Sequence, residues 1–324
     1  MSLFGRLENP RDIDAAIRTR LASSLAHIFG RAESHVSVDR VRVEAALEHI
    51  RSHKQDPGVF ARYYDLIFAI TSNQIAKADT LLEEIIERSA HPASFAITPY
   101  NRKSLGSDYD RFPQLLFSEY SSANPMASPS KVQAAAWTEM LHGALEIVSR
   151  VDKTIYDEIM GLLVRVYIAV DSKDPTAKRF GGVTSFLVWG GSFINIEFYR
   201  TGWDAVQFLV HEVTHALLFA LSFDEPLVQN SPDESYQSPL RADPRPMDGI
   251  FHATLVCARL AAFNQAWLES GLLEGADRKK TEIAVQNRKQ KFRDGFVVID
   301  RHGKLSEQAR HLINRCCSGL AVLA

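Results

Sequence analysis

Apolar residues recur at steps of three and four along the first ninety positions. Ile13, Ile17, Leu21, Leu25 and Ile28 form one such stripe, and Leu66, Ile70, Ile75, Leu81, Leu82, Ile85 and Ile86 extend the pattern, which predicts a helical layer. Between His91 and Lys131 the stripe gives way to Pro, Ser, Asn and Tyr, so a long irregular connection is expected there. Helix is expected again from near Val132 to about Val170, with a break near Val151. After a second interruption, SKDPTAKRFGG, the period changes. In TSFLVWGGSFINIEFY, β-formers flank Gly190 and Gly191, which predicts a hairpin with a tight Gly-Gly turn.

The next segment, DAVQFLVHEVTHALLFAL, predicts a helix with Asp204 as its N-cap and Gln207 three positions on. From Phe223 to Gly249 the prolines at 226, 232, 239, 244 and 246 exclude long regular structure, and structureless loops of that length usually serve a site. IFHATLVCARLAAFNQAWL then predicts a second apolar helix, with Asp248 a candidate cap. A polar helix from Asp277 to Arg293, a short strand FVVID and a final helix from about Leu305 complete the pattern.

Within the helix that begins near Asp204, His211, Glu212 and His215 spell HExxH. Helical spacing sets positions 211 and 215 on one face about 6 Å apart, so two imidazoles can grip one metal ion. Asp204, Gln207, His211 and His215 form a polar stripe through an otherwise apolar helix, and two buried imidazoles with a carboxylate are satisfied together by a divalent cation. The third ligand decides the chemistry. The Gly and His of a metzincin are replaced by Leu218 and Leu221, which excludes that class. Glu234 stands near the spacing of a gluzincin-like glutamate but lies in NSPDESYQSP, where prolines and serines oppose a helix. His252, at the start of the following helix, is the better candidate.

Charge and cysteine content narrow the partners. Lys plus Arg total 37 against 39 Asp plus Glu, so no global basic field exists and nucleic acid is not expected. Cys257, Cys316 and Cys317 give neither a disulfide framework nor a CxxC metal pattern, which fits a reducing compartment. No stretch has the length of a signal or membrane segment, so a cytoplasmic protein without a membrane partner is expected; the oligomeric state is unknown.

The HEVTH helix together with YQSPLRADPRPMDGIFH, from Tyr236 to His252, resembles the HExxH-type 2-oxoglutarate-dependent peptide β-hydroxylases, enzymes that modify ribosomally made peptides in bacteria. The resemblance rests on HEVTH, SPLRADPRP and the G-x-x-H that ends at His252, and it covers roughly residues 180 to 265. It implies Fe(II) held by His211, His215 and His252, with 2-oxoglutarate and dioxygen in the remaining positions. It also implies a ribosomal precursor peptide hydroxylated at a side-chain β carbon, with release of succinate and CO2. Three neutral imidazoles leave the full +2 charge on the metal, which doubly charged 2-oxoglutarate can neutralise. Its far carboxylate calls for a guanidinium, and Arg241 and Arg245 both lie in the motif, with Arg241 preferred. Asp243 and Asp248 are assigned to loop and cap structure.

Glu212 is the candidate catalytic residue. In an oxygenase it would orient a ligand or substrate. In the alternative, a zinc-dependent HExxH metallopeptidase with Glu234 or His252 as third Zn(II) ligand, it would be the general base. A strand edge beside the HExxH helix would suit an extended peptide in that reading. A binding protein that holds a peptide leader with its helical half is the third possibility. Asn195 and Glu197 are expected to face solvent from the hairpin, and Trp189 and Trp203 to pack in the core. The other histidines, His35 among them, are assigned no chemistry. The expected fold is α+β and predominantly helical. It comprises a helical region over 1–172, a candidate for substrate or leader binding, and a catalytic region over 173–324. The small sheet, a hairpin, lies beside the HExxH helix in the second region, and the two pack as one body.

Overall fold

The computed structural model describes residues 9–32, 39–117, 124–177 and 179–322. Twelve helices and seven short strands among them make a predominantly helical α+β protein. The chain forms two compact units, one of Asn9–His142 with Glu158–Thr201, the other of Gly143–Asp157 with the chain from Gly202 onward. The chain last passes from one to the other between Thr201 and Gly202, and the five-stranded sheet lies in the first unit.

The first unit opens with helices α1 (Pro10–Ala32), α2 (Arg40–Ser52), α3 (Pro57–Thr71) and α4 (Ile75–Ser89), as the apolar stripe predicts. Asp39 and Asp56 cap α2 and α3, accepting from Val41 N and Gly58 N. The segment expected to be irregular contains β1 (Ala96–Pro99), α5 (Arg102–Leu105), α6 (Asp108–Phe117) and β2 (Met126–Ala127). These elements are too short to show a period, and α6 carries Pro113 within it. Helices α7 (Lys131–Val151) and α8 (Lys153–Leu162) pass from one unit to the other and back.

Strand β3 (Arg165–Asp171) replaces the helix expected to reach Val170. Its β-branched Val166, Ile168 and Val170 suit a pleated surface, and parallel pairing with β1 and with β5 (Gly191–Asn195) buries it as a central strand. The expected hairpin is present but its turn is not Gly-Gly. β4 (Gly182–Thr184) pairs antiparallel with β5, and Phe186–Val188 between them is a 3-10 turn instead of strand. Gly190 has a φ of +81° and offers its carbonyl to Val164 N and Arg165 N at 2.7 and 2.9 Å, a conformation glycine adopts without strain. The core of this unit stacks Tyr167 on Phe193, 4.6 Å between centroids, with Phe112 and Tyr100 edge-on to Phe193. Trp189 is buried as expected and donates to Asp14 at 3.0 Å.

A buried ion network ties α3, α4 and α6 together. Arg62 bonds Asp108, Glu84 (2.5 Å) and Ser107 (2.7 Å), and Arg88 reaches Asp108 at 2.8 Å. Removing one partner strands buried charge. Asp108→Ala is therefore expected to lower stability by about 3–5 kcal/mol, measured as a drop in the urea midpoint at unchanged slope.

The second unit holds α9 (Gly202–Leu221), the strand pair β6 (Ser235–Tyr236) and β7 (Arg245–Pro246), α10 (Met247–Glu269), α11 (Gly275–His302) and α12 (Glu307–Val322). α11 runs straight through FVVID, which is helix and not strand: Phe292 and Ile299 are buried seven residues apart while Val297 is 64% exposed, a helical face. A Cβ on Gly295 would lie 2.0 Å from Thr254 Oγ1, so glycine there lets α11 approach α10. No helix among the described residues is long and apolar enough to cross a membrane.

Candidate metal centre

α9 starts two residues before Asp204, which is therefore a first-turn residue rather than the cap, and its carboxylate pairs with Lys280 at 3.0 Å. Farther along the same face, the polar stripe is used. Gln207 exchanges two amide hydrogen bonds with Asn264 of α10, at 2.7 and 3.1 Å. One turn on, His211 and His215 face each other with Nε2 atoms 3.2 Å apart. The ring of His252 on α10 lies against His215, 5.8 Å between centroids and 27° between planes, and Phe219 closes against His252 at 5.1 Å. The two helices therefore run antiparallel, and their contact collects the three histidines that the sequence singles out.

Burial sets the protonation of these rings. It lowers His211 well below the ordinary histidine value, assisted by His215, Arg288 and Arg241; it lowers His215 to about 3, assisted by His252 and Arg241; and it lowers His252 to about 4. All three are thus neutral donors, the form a metal takes. His252 is 5% exposed, whereas His215 is half-buried and His211 keeps a third of its side chain open.

A cation bonded to two imidazoles at about 2.1 Å, with its bonds about 90–109° apart, holds the two nitrogens about 3.0–3.4 Å apart. The His211–His215 separation has that value, so the pair fits two adjacent ligands of one ion. His252 Nε2 is directed instead to Asp248 Oδ1 at 3.6 Å, and among the described residues no three His, Cys, Asp or Glu side chains stand in ligating positions. Asp248 lies in the first turn of α10 behind the cap residue Pro246, so it is not the cap. Glu234 is on the exposed loop, where Tyr236 donates to it at 2.5 Å.

The arginines divide by environment. Arg245 pairs with Asp243 at 3.0 Å, the loop role expected for that aspartate. Arg241 is exposed on the turn between β6 and β7, and its charge acts on both His211 and His215. Arg288, which the sequence does not mark, sits half-buried on α11; it bonds the buried Cys257 thiol and its charge also acts on His211. Glu212 is 2% exposed, with Oε1 4.0 Å from His211 Nε2.

Other expectations resolve as structure. Asn195 is fully buried instead of solvent-facing: its amide donates to Asp171 and to the Phe180 carbonyl, both at 2.7 Å. Glu197 is exposed and accepts from Asp171 N at 3.0 Å. Trp203 donates to Thr281 at 2.8 Å beneath Lys280. Cys316 is buried and Cys317 half-buried on α12, as packing residues. His35 lies outside the described residues. A scan of the chain against models of known protein families finds no match, and no curated protein matches it.

Proposed function

We propose that the protein is an Fe(II)- and 2-oxoglutarate-dependent dioxygenase that hydroxylates a side-chain carbon of a peptide. The observation that carries this reading is the pair of neutral imidazoles of His211 and His215, 3.2 Å apart, with a third buried imidazole, His252, stacked beside them. Bound iron with 2-oxoglutarate and dioxygen would supply the oxidising chemistry, in which one oxygen atom enters a C–H bond while the other leaves in succinate and the carboxyl carbon leaves as CO2. His211 and His215 would hold the ion, and His252 would join them if its ring turned from Asp248. Arg241, the loop arginine whose charge reaches two of the imidazoles, receives the far carboxylate of 2-oxoglutarate. Phe219 packs against the ring of His252. Peptide as substrate class, with a ribosomal precursor as its source, follows from the resemblance of Tyr236–His252.

The test is direct. Fe(II), 2-oxoglutarate and oxygen should yield succinate, and a peptide substrate should gain the mass of one oxygen atom. In the same assay Arg241→Gln is expected to raise the KM for 2-oxoglutarate about 10- to 100-fold, because a charge-assisted contact contributes roughly 1.5–3 kcal/mol. Oxygen-independent peptide cleavage with Zn(II) would reject the proposal. That second reading, a zinc peptidase, draws on one observation: Glu212 lies close enough to His211 to act on a water at the same ion.

A further inference from the structure

Gln207 and Asn264 are buried amides, 5% and 0% exposed, on facing helices. Gln207 Nε2 donates to Asn264 Oδ1 at 2.7 Å and Asn264 Nδ2 donates to Gln207 Oε1 at 3.1 Å, so each amide uses both its donor and its acceptor on the other. A reciprocal bond of this kind exists at one register only. Sliding α9 along α10 by a single turn, about 5.4 Å, would break both bonds and leave both amides unsatisfied in an apolar layer. Both helices otherwise bury apolar side chains, Phe208 on α9 and Leu255, Leu260 and Phe263 on α10 among them, and apolar layers tolerate more than one register.

We propose that the Gln207–Asn264 pair is a positioning device for the metal centre, resting on the reading above that the histidines bind metal. Gln207 is one turn before His211 and two before His215 on the same face of α9, so whatever fixes Gln207 against α10 fixes the level at which the two histidines meet His252. The contact between the rings, 5.8 Å between centroids, is about as long as one helical turn, so a one-turn slip removes it. Two leucines would fill the same layer. What the amides add is register, as single buried polar pairs do in coiled coils.

The test is Co(II) titration of the metal-free protein, followed by visible absorption. The doubly apolar variant Gln207→Leu/Asn264→Leu is expected to fold, with a melting temperature equal to or above that of the native chain, and to bind Co(II) at least tenfold more weakly. The swap Gln207→Asn/Asn264→Gln keeps both amides and their summed length, and is expected to bind within about threefold of the native protein. The milder Gln207→Asn, which shortens the reach by one methylene, is expected to bind between them, at a lower melting temperature because a buried amide loses its partner. Native affinity in the double-leucine variant, or in Gln207→Asn should the leucine pair not fold, would overturn the positioning role alone. Failure of the native protein to take up Co(II) would overturn the metal reading and this inference with it.

Discussion

Replacing His252 by alanine is expected to weaken Fe(II) binding by at least about a hundredfold and to abolish succinate formation. The expectation follows from what the other two histidines can do alone. His211 and His215 present two nitrogens 3.2 Å apart, enough to grip an ion from one side but leaving its other positions to water. Loss of a residue that only supports a ligand typically costs 10–100-fold in metal affinity, and loss of the third ligand itself should exceed that. A purely structural His252 would instead lower the melting temperature and leave affinity in the folded fraction unchanged. The discriminating variant is His252→Glu, because a carboxylate in the third position is a familiar iron ligand in oxygenases. It should recover part of the Fe(II) affinity lost in His252→Ala, measured by anaerobic titration. Glu234→Gln should change neither affinity nor turnover, since that carboxylate is engaged by Tyr236 on the exposed loop.

What the sequence makes legible here is local, and what it hides is pairing between distant segments. The stripe of Gln207, His211 and His215 is visible because a helix repeats every 3.6 residues, and the structure places all three on the face turned to α10. Asn264 and Arg288 are invisible for the opposite reason. Nothing near them in sequence marks them, and only the packing of α10 against α9 and α11 brings an amide to Gln207 and a guanidinium to Cys257 and His211. The same limit explains the two exchanged secondary structures. Arg165–Asp171 follows a long helical pattern, yet strands 69 residues before and 26 residues after it in register, Ala96↔Arg165 and Arg165↔Gly191, provide its hydrogen-bond partners. FVVID has β-formers in a row, yet it continues a helix whose buried face is set by Phe292 and Ile299. Tertiary context overrides propensity in both cases. The loop from Phe223 to Gly249 is largely irregular, as its prolines dictate, but its ends are pinned in ways no local pattern announces. Gln229 N bonds the Lys304 carbonyl at 2.7 Å, and β6 pairs with β7 to frame the turn that carries Arg241.

Glu212→Gln separates the two chemistries that the HExxH helix permits, and the expected result is retention of oxygenase turnover to within about tenfold. In a zinc peptidase the glutamate takes the proton from the attacking water, and an amide cannot; general acid–base groups contribute about 10²–10⁴-fold, so Gln at this position would reduce cleavage by that factor. In the oxygenase no water has to lose a proton, and Glu212 acts through His211, whose Nε2 is 4.0 Å from its Oε1. The side chain is 2% exposed on a helix packed against α10, so its replacement is felt, but as a change in metal affinity rather than a loss of chemistry. Two measurements on the one variant decide between them: Fe(II) affinity by titration, and succinate released per enzyme at saturating iron. A modest fall in affinity with turnover preserved at saturation supports the orienting role. Loss of turnover at saturating iron, with Fe(II) affinity intact, would overturn the orienting role and make Glu212 a proton-transfer group in the reaction.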